Sequence, residues 1–124
     1  MTKEALTYIK NRLAAAGIPY SFGEWTGSTD DYYFTGNYLE TPTLTREENG
    51  RQQSTFILMG YTRKSWMVLE EAKSVIESVL PVCDILPDGS GLCIMYDSAT
   101  HAPMADGSKC IKIDFAIDEW RVNI

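Results

Sequence analysis

The stretch 27-GSTDDYYFTGNYLETPTLTREENGRQQSTFILMGYTR-63 decides how the rest of this chain is read. It holds two adjacent aspartates, a cluster of aromatics, an acidic pair and two runs of β-forming residues. Tyr32 to Thr41 and Ser54 to Thr62 are rich in the aromatic and β-branched side chains that suit a pleated, half-buried surface. Between them stands Glu48-Asn49-Gly50-Arg51. Asn-Gly tolerates the positive φ of a type I′ turn and predicts a two-residue hairpin there. That turn sets a register, with Glu48 opposite Arg51, Arg46 opposite Gln53, Thr45 opposite Ser54, Glu40 opposite Met59 and Tyr38 opposite Tyr61. Phe34, Tyr38, Ile57, Met59 and Tyr61 then share one face, and Tyr33, Leu39, Phe56 and Leu58 the other. From Thr43 to Thr55 both faces are polar apart from Leu44. A ribbon without an apolar side has nothing to lay on a core, so it is expected to project as an arm from an apolar root.

Helical spacing brackets this hairpin. Leu6, Ile9 and Leu13 fall on one face of a segment running from Thr2 to Ala16, with Thr2 as N-cap, Gly17 as C-cap and Pro19 forbidding continuation. A short strand, Tyr20 to Trp25, follows. Ser65 to Leu80 is a second helix, with Leu69, Ala72, Ile76, Val79 and Leu80 as its buried stripe and Pro81 as its stop. Gly91 to Tyr96 and Cys110 to Ile124 read as closing strands. Ile111, Ile113, Phe115 and Ile117 alternate with polar residues. The parity then slips to Trp120, Val122 and Ile124, which predicts a bulge near Asp118-Glu119. The segment "SATHAPMADGSK" reads as a mobile loop. The predicted fold is α+β in the order α-β-β-β-α-β-β. It has a mainly antiparallel five-stranded sheet, two helices on one face, and a long projecting β-hairpin.

The chain has 124 residues, enough for a single domain that buries a real core. Net charge is −6, and the longest basic cluster is Arg63-Lys64, which argues against sequence-specific nucleic-acid binding. No apolar run approaches membrane-spanning length and no signal peptide is visible, so a cytoplasmic protein with no membrane partner is expected. Three cysteines, Cys83, Cys93 and Cys110, form no CxxC pair, and an odd number cannot close a disulfide framework. They read as free, buried, apolar side chains.

The residues that suggest chemistry do not assemble into a reaction. Adjacent Asp30 and Asp31 point opposite ways in an extended segment and cannot converge on one cation. They read as a polar turn that starts the hairpin. Glu47 and Glu48, at a solvated ribbon tip, lack the dry pocket that raises a carboxyl pKa for acid catalysis. His101 is the only histidine and stands far in sequence from any partner. "PDGSG", Pro87 to Gly91, matches no phosphate-loop pattern. "RKSW" is different. There Arg63, Lys64 and Trp66 meet the start of a helix, whose N-terminus attracts anions, so these three are candidate anion contacts, with packing on the core or a hydrophobic staple the favoured reading of Trp66. No catalytic residue, metal ligand or cofactor is expected.

What remains is interaction. Two helices of about four turns cover one face of such a sheet, and the other, apolar face calls for a partner. Tyr33, Leu39, Glu47, Glu48, Asn49, Arg51, Phe56, Leu58 and Arg63 are the expected interface residues. The first helix ends in "AAAGIPY". The strands read "GEW", "YYFTGNYLET" and "STFILMGYTR", and the second helix reads "SWMVLEEAKSVIESVLP". With these elements the chain resembles the tail terminator and minor tail (tail-completion) proteins of long-tailed bacteriophages and prophages. The resemblance implies a non-enzymatic α+β protein that forms a ring, commonly hexameric, at the tail end or head–tail junction. It also implies contacts with other tail or connector proteins, cytoplasmic assembly and a place in the virion tail. One subunit's arm would lie on its neighbour. The alternative is a small binding module or enzyme with a pocket between helices and sheet. A third option is an acidic decoy for a basic partner.

Overall fold

The computed structural model describes residues 1–27, 31–40 and 52–120. The described elements are α1 (Lys3–Ala15), β1 (Tyr20–Phe22), β2 (Tyr32–Glu40), β3 (Gln52–Thr62), α2 (Trp66–Val79), β4 (Val82–Ile85), β5 (Gly91–Pro103) and β6 (Lys109–Trp120). Both helices arise where expected. The Thr2 side chain accepts from the Ala5 amide at 3.2 Å. At the other end Gly17, with φ of 77°, donates to Ala14 while the Ile18 amide donates to Leu13. This is the paired closure that a left-handed glycine permits. Arg12 of α1 donates to the Val79 carbonyl at 2.6 Å, tying the two helices together.

The sheet has six strands, not five, in the order β1-β2-β3-β6-β5-β4, and it curls into a half-barrel. It is mixed, because β1 runs parallel to β2 while every other neighbour is antiparallel. The parallel pair follows from a direct turn off α1. Pro19 accepts from the Phe34 amide at 2.8 Å and feeds β1 along the outer edge of β2. The missed strand, β4, is four residues directly behind Pro81, too short for alternation to register. β5 is longer than expected and takes in all of "SATHAP".

The hairpin register also differs. Glu40 lies opposite Ser54 and Tyr38 opposite Phe56, five positions from the pairing that Asn49-Gly50 predicts. An odd shift exchanges faces. Phe34, Phe56 and Leu58 therefore share the helix-covered face, whereas Tyr33, Ile57, Met59 and Tyr61 share the other. The arm itself, with Glu47, Glu48, Asn49 and Arg51, lies outside the described residues, as does Asp30.

Two glycines explain why aromatics crowd this root. Gly60 lies directly across from Phe34, and a Cβ there would meet the Phe34 ring. A Cβ at Gly36 would meet Tyr20 and Phe56. Missing side chains leave room for rings to lie flat over the sheet. The core is then closed by Ala5, Ile9 and Leu13 of α1 and by Leu69, Ala72 and Ile76 of α2. These pack on Phe34, Phe56, Leu58, Ile113 and Phe115.

The expected parity slip at Asp118-Glu119 is not there. The β3–β6 register runs unbroken from Lys109 to Glu119, and the irregularity falls in β5 between Tyr96 and Ser98. Glu119 continues the buried face of Ile113, Phe115 and Ile117, at 5% exposure. Its Oε1 accepts from the Thr2 hydroxyl at 2.7 Å and the Thr2 amide at 3.1 Å. A buried carboxylate so placed pins the start of α1, where the helix dipole favours negative charge. Alternation counts glutamate as polar, and so it hid this position.

Candidate assembly surface

The helices cover one face of the sheet and leave the other bare. On the bare face Leu39, Ile85 and Met95 are about two-thirds exposed. Tyr33, Ile57, Met59 and Tyr61 stand half-buried among their cross-strand neighbours. Lys112, Asp114 and Asp118 are interspersed with them on β6. Phe56 and Leu58, expected at an interface, are fully buried under the helices instead. Tyr33 and Leu39 remain on the accessible face, and Arg63 is exposed at its end.

Three rings cross this face in a row. Trp25, just past β1, stacks on Tyr33 with centroids 4.9 Å apart and planes inclined by 19°. Tyr33 stacks on Tyr61 at 5.2 Å and 29°. Burial of its ring holds the Tyr61 hydroxyl above the ordinary phenol range, with Cys110 adding to the effect. Cys110, directly opposite Tyr61 on β6, is a free thiol buried at the foot of this row, and burial pushes its pKa up. Trp25 was placed in the first strand by sequence. Its role as the outer ring of a ladder depends on the parallel docking of β1, which periodicity does not report.

At its end the ladder opens into a slot. A cavity of about 370 Å³ is bounded by Tyr33 and Tyr61, by Arg63 and Lys64, and by Met104 and Asp106. Local bonds build its walls. The Thr62 hydroxyl donates to the Asp31 carbonyl at 2.8 Å and accepts from the Lys64 amide at 3.1 Å. Lys64 pairs with Asp31 at 2.9 Å, and Arg63 lies 3.6 Å from Asp106. The β5–β6 turn carries Asp106. There Gly107 adopts φ of 87° and donates to the Met104 carbonyl, while Ser108 donates to Asp106 from both hydroxyl and amide. Those two bonds hold the Asp106 carboxyl below the usual range, with Arg63 contributing less. The "PDGS" turn at Pro87 to Ser90 repeats the same wiring, Ser90 donating twice to Asp88. It is a hairpin turn.

Trp66 does not join Arg63 and Lys64. It lies against His101, with ring centroids 4.6 Å apart. His101, expected in a mobile loop, is on β5 and pairs with Glu70 of α2 at 2.7 Å. Among the described residues no group of three or more His, Cys, Asp or Glu side chains is placed to hold a metal ion.

The cysteine reading needs correction. Cys83 and Cys93 are register partners on β4 and β5, with Cα atoms 4.0 Å apart, and they form a disulfide on the bare face. Because the sequence split them between a segment not recognised as a strand and a strand, their pairing was invisible. The third cysteine is the odd one left over.

Among the described residues no helix is long and apolar enough to cross a membrane. No family model and no curated protein matches the chain. Twelve chains of solved structures match it. One is similar over 100% of this chain and 99% of its own length, with a TM-score of 0.60 and 11% identity, and its name describes no activity. At that identity the likeness concerns the fold.

Proposed function

We propose that this chain is a non-enzymatic assembly protein whose bare sheet face docks on further copies of itself. In the finer reading it is a phage or prophage tail terminator or minor tail component that closes into a ring. The observation that carries the proposal is the asymmetry of the sheet. One face is sealed by both helices. The other presents Leu39, Ile85 and Met95 at about 60% exposure each toward one end and an aromatic row toward the other. Exposed apolar side chains gathered on a sheet face that the helices leave open mark an interaction site. The finer reading draws on the resemblance carried by the helix and strand sequences quoted above. A Cys83–Cys93 disulfide on the face the helices leave open also suits a particle that leaves the cell, since disulfides persist on virion surfaces.

The rival, an enzyme or binding module with a pocket between helices and sheet, has to displace a packed interior. Ile9, Leu13, Leu69, Ile76, Phe34, Phe56 and Phe115 all sit at 0% exposure in that space. Light scattering over a range of concentrations, with negative-stain images, tests the proposal. Ring-shaped particles of a fixed multiple of the 13.9 kDa chain mass support it. A monomer at every concentration overturns it.

A further inference from the structure

Resting on the self-assembly reading, we infer that the slot at the end of the aromatic ladder receives segment 41–51 of a second copy, so that subunits join head to tail. The slot consists wholly of described residues. Its floor is the pair of tyrosine rings, Tyr33 and Tyr61, and its rim carries two cations and two acids, Arg63, Lys64, Asp31 and Asp106. The rim pairs are exposed, with Arg63 at 79% and Lys64 at 58%. Exposed pairs hold one another weakly and exchange partners readily. Segment 41–51, TPTLTREENGR, offers the matching pattern. Leu44 is an apolar residue for the tyrosine floor. Glu47 and Glu48 oppose Arg63 and Lys64, and Arg46 and Arg51 oppose Asp31 and Asp106.

Chain length identifies whose segment it is. The segment joins Glu40 to Gln52, at the end of β2 and β3 farthest from the slot, which adjoins Tyr33 and Tyr61. The nine residues of β2 separate the two ends by roughly 26 Å at strand rise. An eleven-residue connection anchored at both ends carries Glu47 at most about 18 Å and Glu48 at most about 14 Å from Gln52, even when stretched. A subunit therefore cannot fill its own slot. A donor at one end of the strands and a receptor at the other make a heterologous interface, which generates a ring if the rotation closes and a filament if it does not.

The test is a crossed charge reversal read by analytical ultracentrifugation of full-length chains. One variant carries Arg63→Glu and Lys64→Glu. The other carries Glu47→Lys and Glu48→Lys. Each variant alone places like charges at every junction, and its association should weaken about tenfold or more. Mixed one to one, they present only opposite charges and should regain the wild-type assembly. That recovery also shows both variants folded. If either variant alone associates like the wild type, or if the mixture does not recover, the slot assignment is overturned while self-assembly stands. A wild-type chain that stays monomeric overturns the assembly reading and the slot with it.

Discussion

The two faces of this one sheet obey different rules, and β3 shows both. Its even positions, Ser54, Phe56, Leu58 and Thr62, are buried under the helices, and Gly60 between them yields its space to Phe34. Of its odd positions, Ile57, Met59 and Tyr61 are as apolar or aromatic, yet among the described residues no helix covers them and they stay half-buried. The first set is held in place by volume. The second stabilises the monomer little and is free to serve a partner. Substitutions on the two faces should therefore separate stability from association.

The largest expected effect is on the covered face. Phe34→Ala should cost about 3–5 kcal/mol, as for other buried aromatics, in a denaturant titration. Leu39→Ala, on the bare face, should fall within about 0.5 kcal/mol of wild type while weakening association. If Leu39→Ala cost as much as Phe34→Ala, the two faces would not differ as described. Next comes the Cys83–Cys93 bond, which closes a loop of ten residues in sequence separation. Its loss in a Cys83→Ser/Cys93→Ser double variant should cost roughly 2–3 kcal/mol by loop-closure entropy, read by thermal unfolding.

Gly60→Val follows, at about 1–3 kcal/mol, because its side chain must push the Phe34 ring aside. Calorimetry of this variant checks whether the glycine serves the covered face. The smallest effect concerns Asp106. Its folded-state pKa is depressed, chiefly by Ser108. Whatever stability it lends is therefore present above the unfolded carboxylate pKa and is lost as pH falls through the folded value. An NMR titration should show the β5–β6 turn, at Met104 to Ser108, responding below the usual carboxylate range. A midpoint at or above the ordinary aspartate value would contradict the hydrogen-bonded geometry.

Much of the covered face was legible. Helical spacing located Ile9, Leu13, Leu69 and Ile76, and strict alternation located Ile111, Ile113, Phe115 and Ile117. These patterns survive because burial on one side repeats at the period of the element. What failed was long-range information. Asn49-Gly50 gave a local turn and so a register, but pairing with β6 on the far side of β3 constrains the register as well, and the described ladder follows a different one. The same gap hid the slot. Tyr33, Tyr61 and Arg63 each stood out, but Met104 and Asp106 come from a hairpin that the sequence reads as a loop. Glu119 was missed for another reason, since its partner, Thr2, is 117 positions away in the chain.

The most direct measurement of the central claim uses three exposed methionines. Met95 on the bare face and Met67 on α2 are each 63% exposed, and Met104 at the slot is 43% exposed. All are open to oxidation in the dilute protein. Mass spectrometry after brief peroxide treatment, at low and high protein concentration, compares them within one sample. Association through the bare face predicts that Met95 and Met104 become protected as concentration rises while Met67 keeps its rate. Equal rates for all three at every concentration, or protection of Met67 alone, would contradict the account.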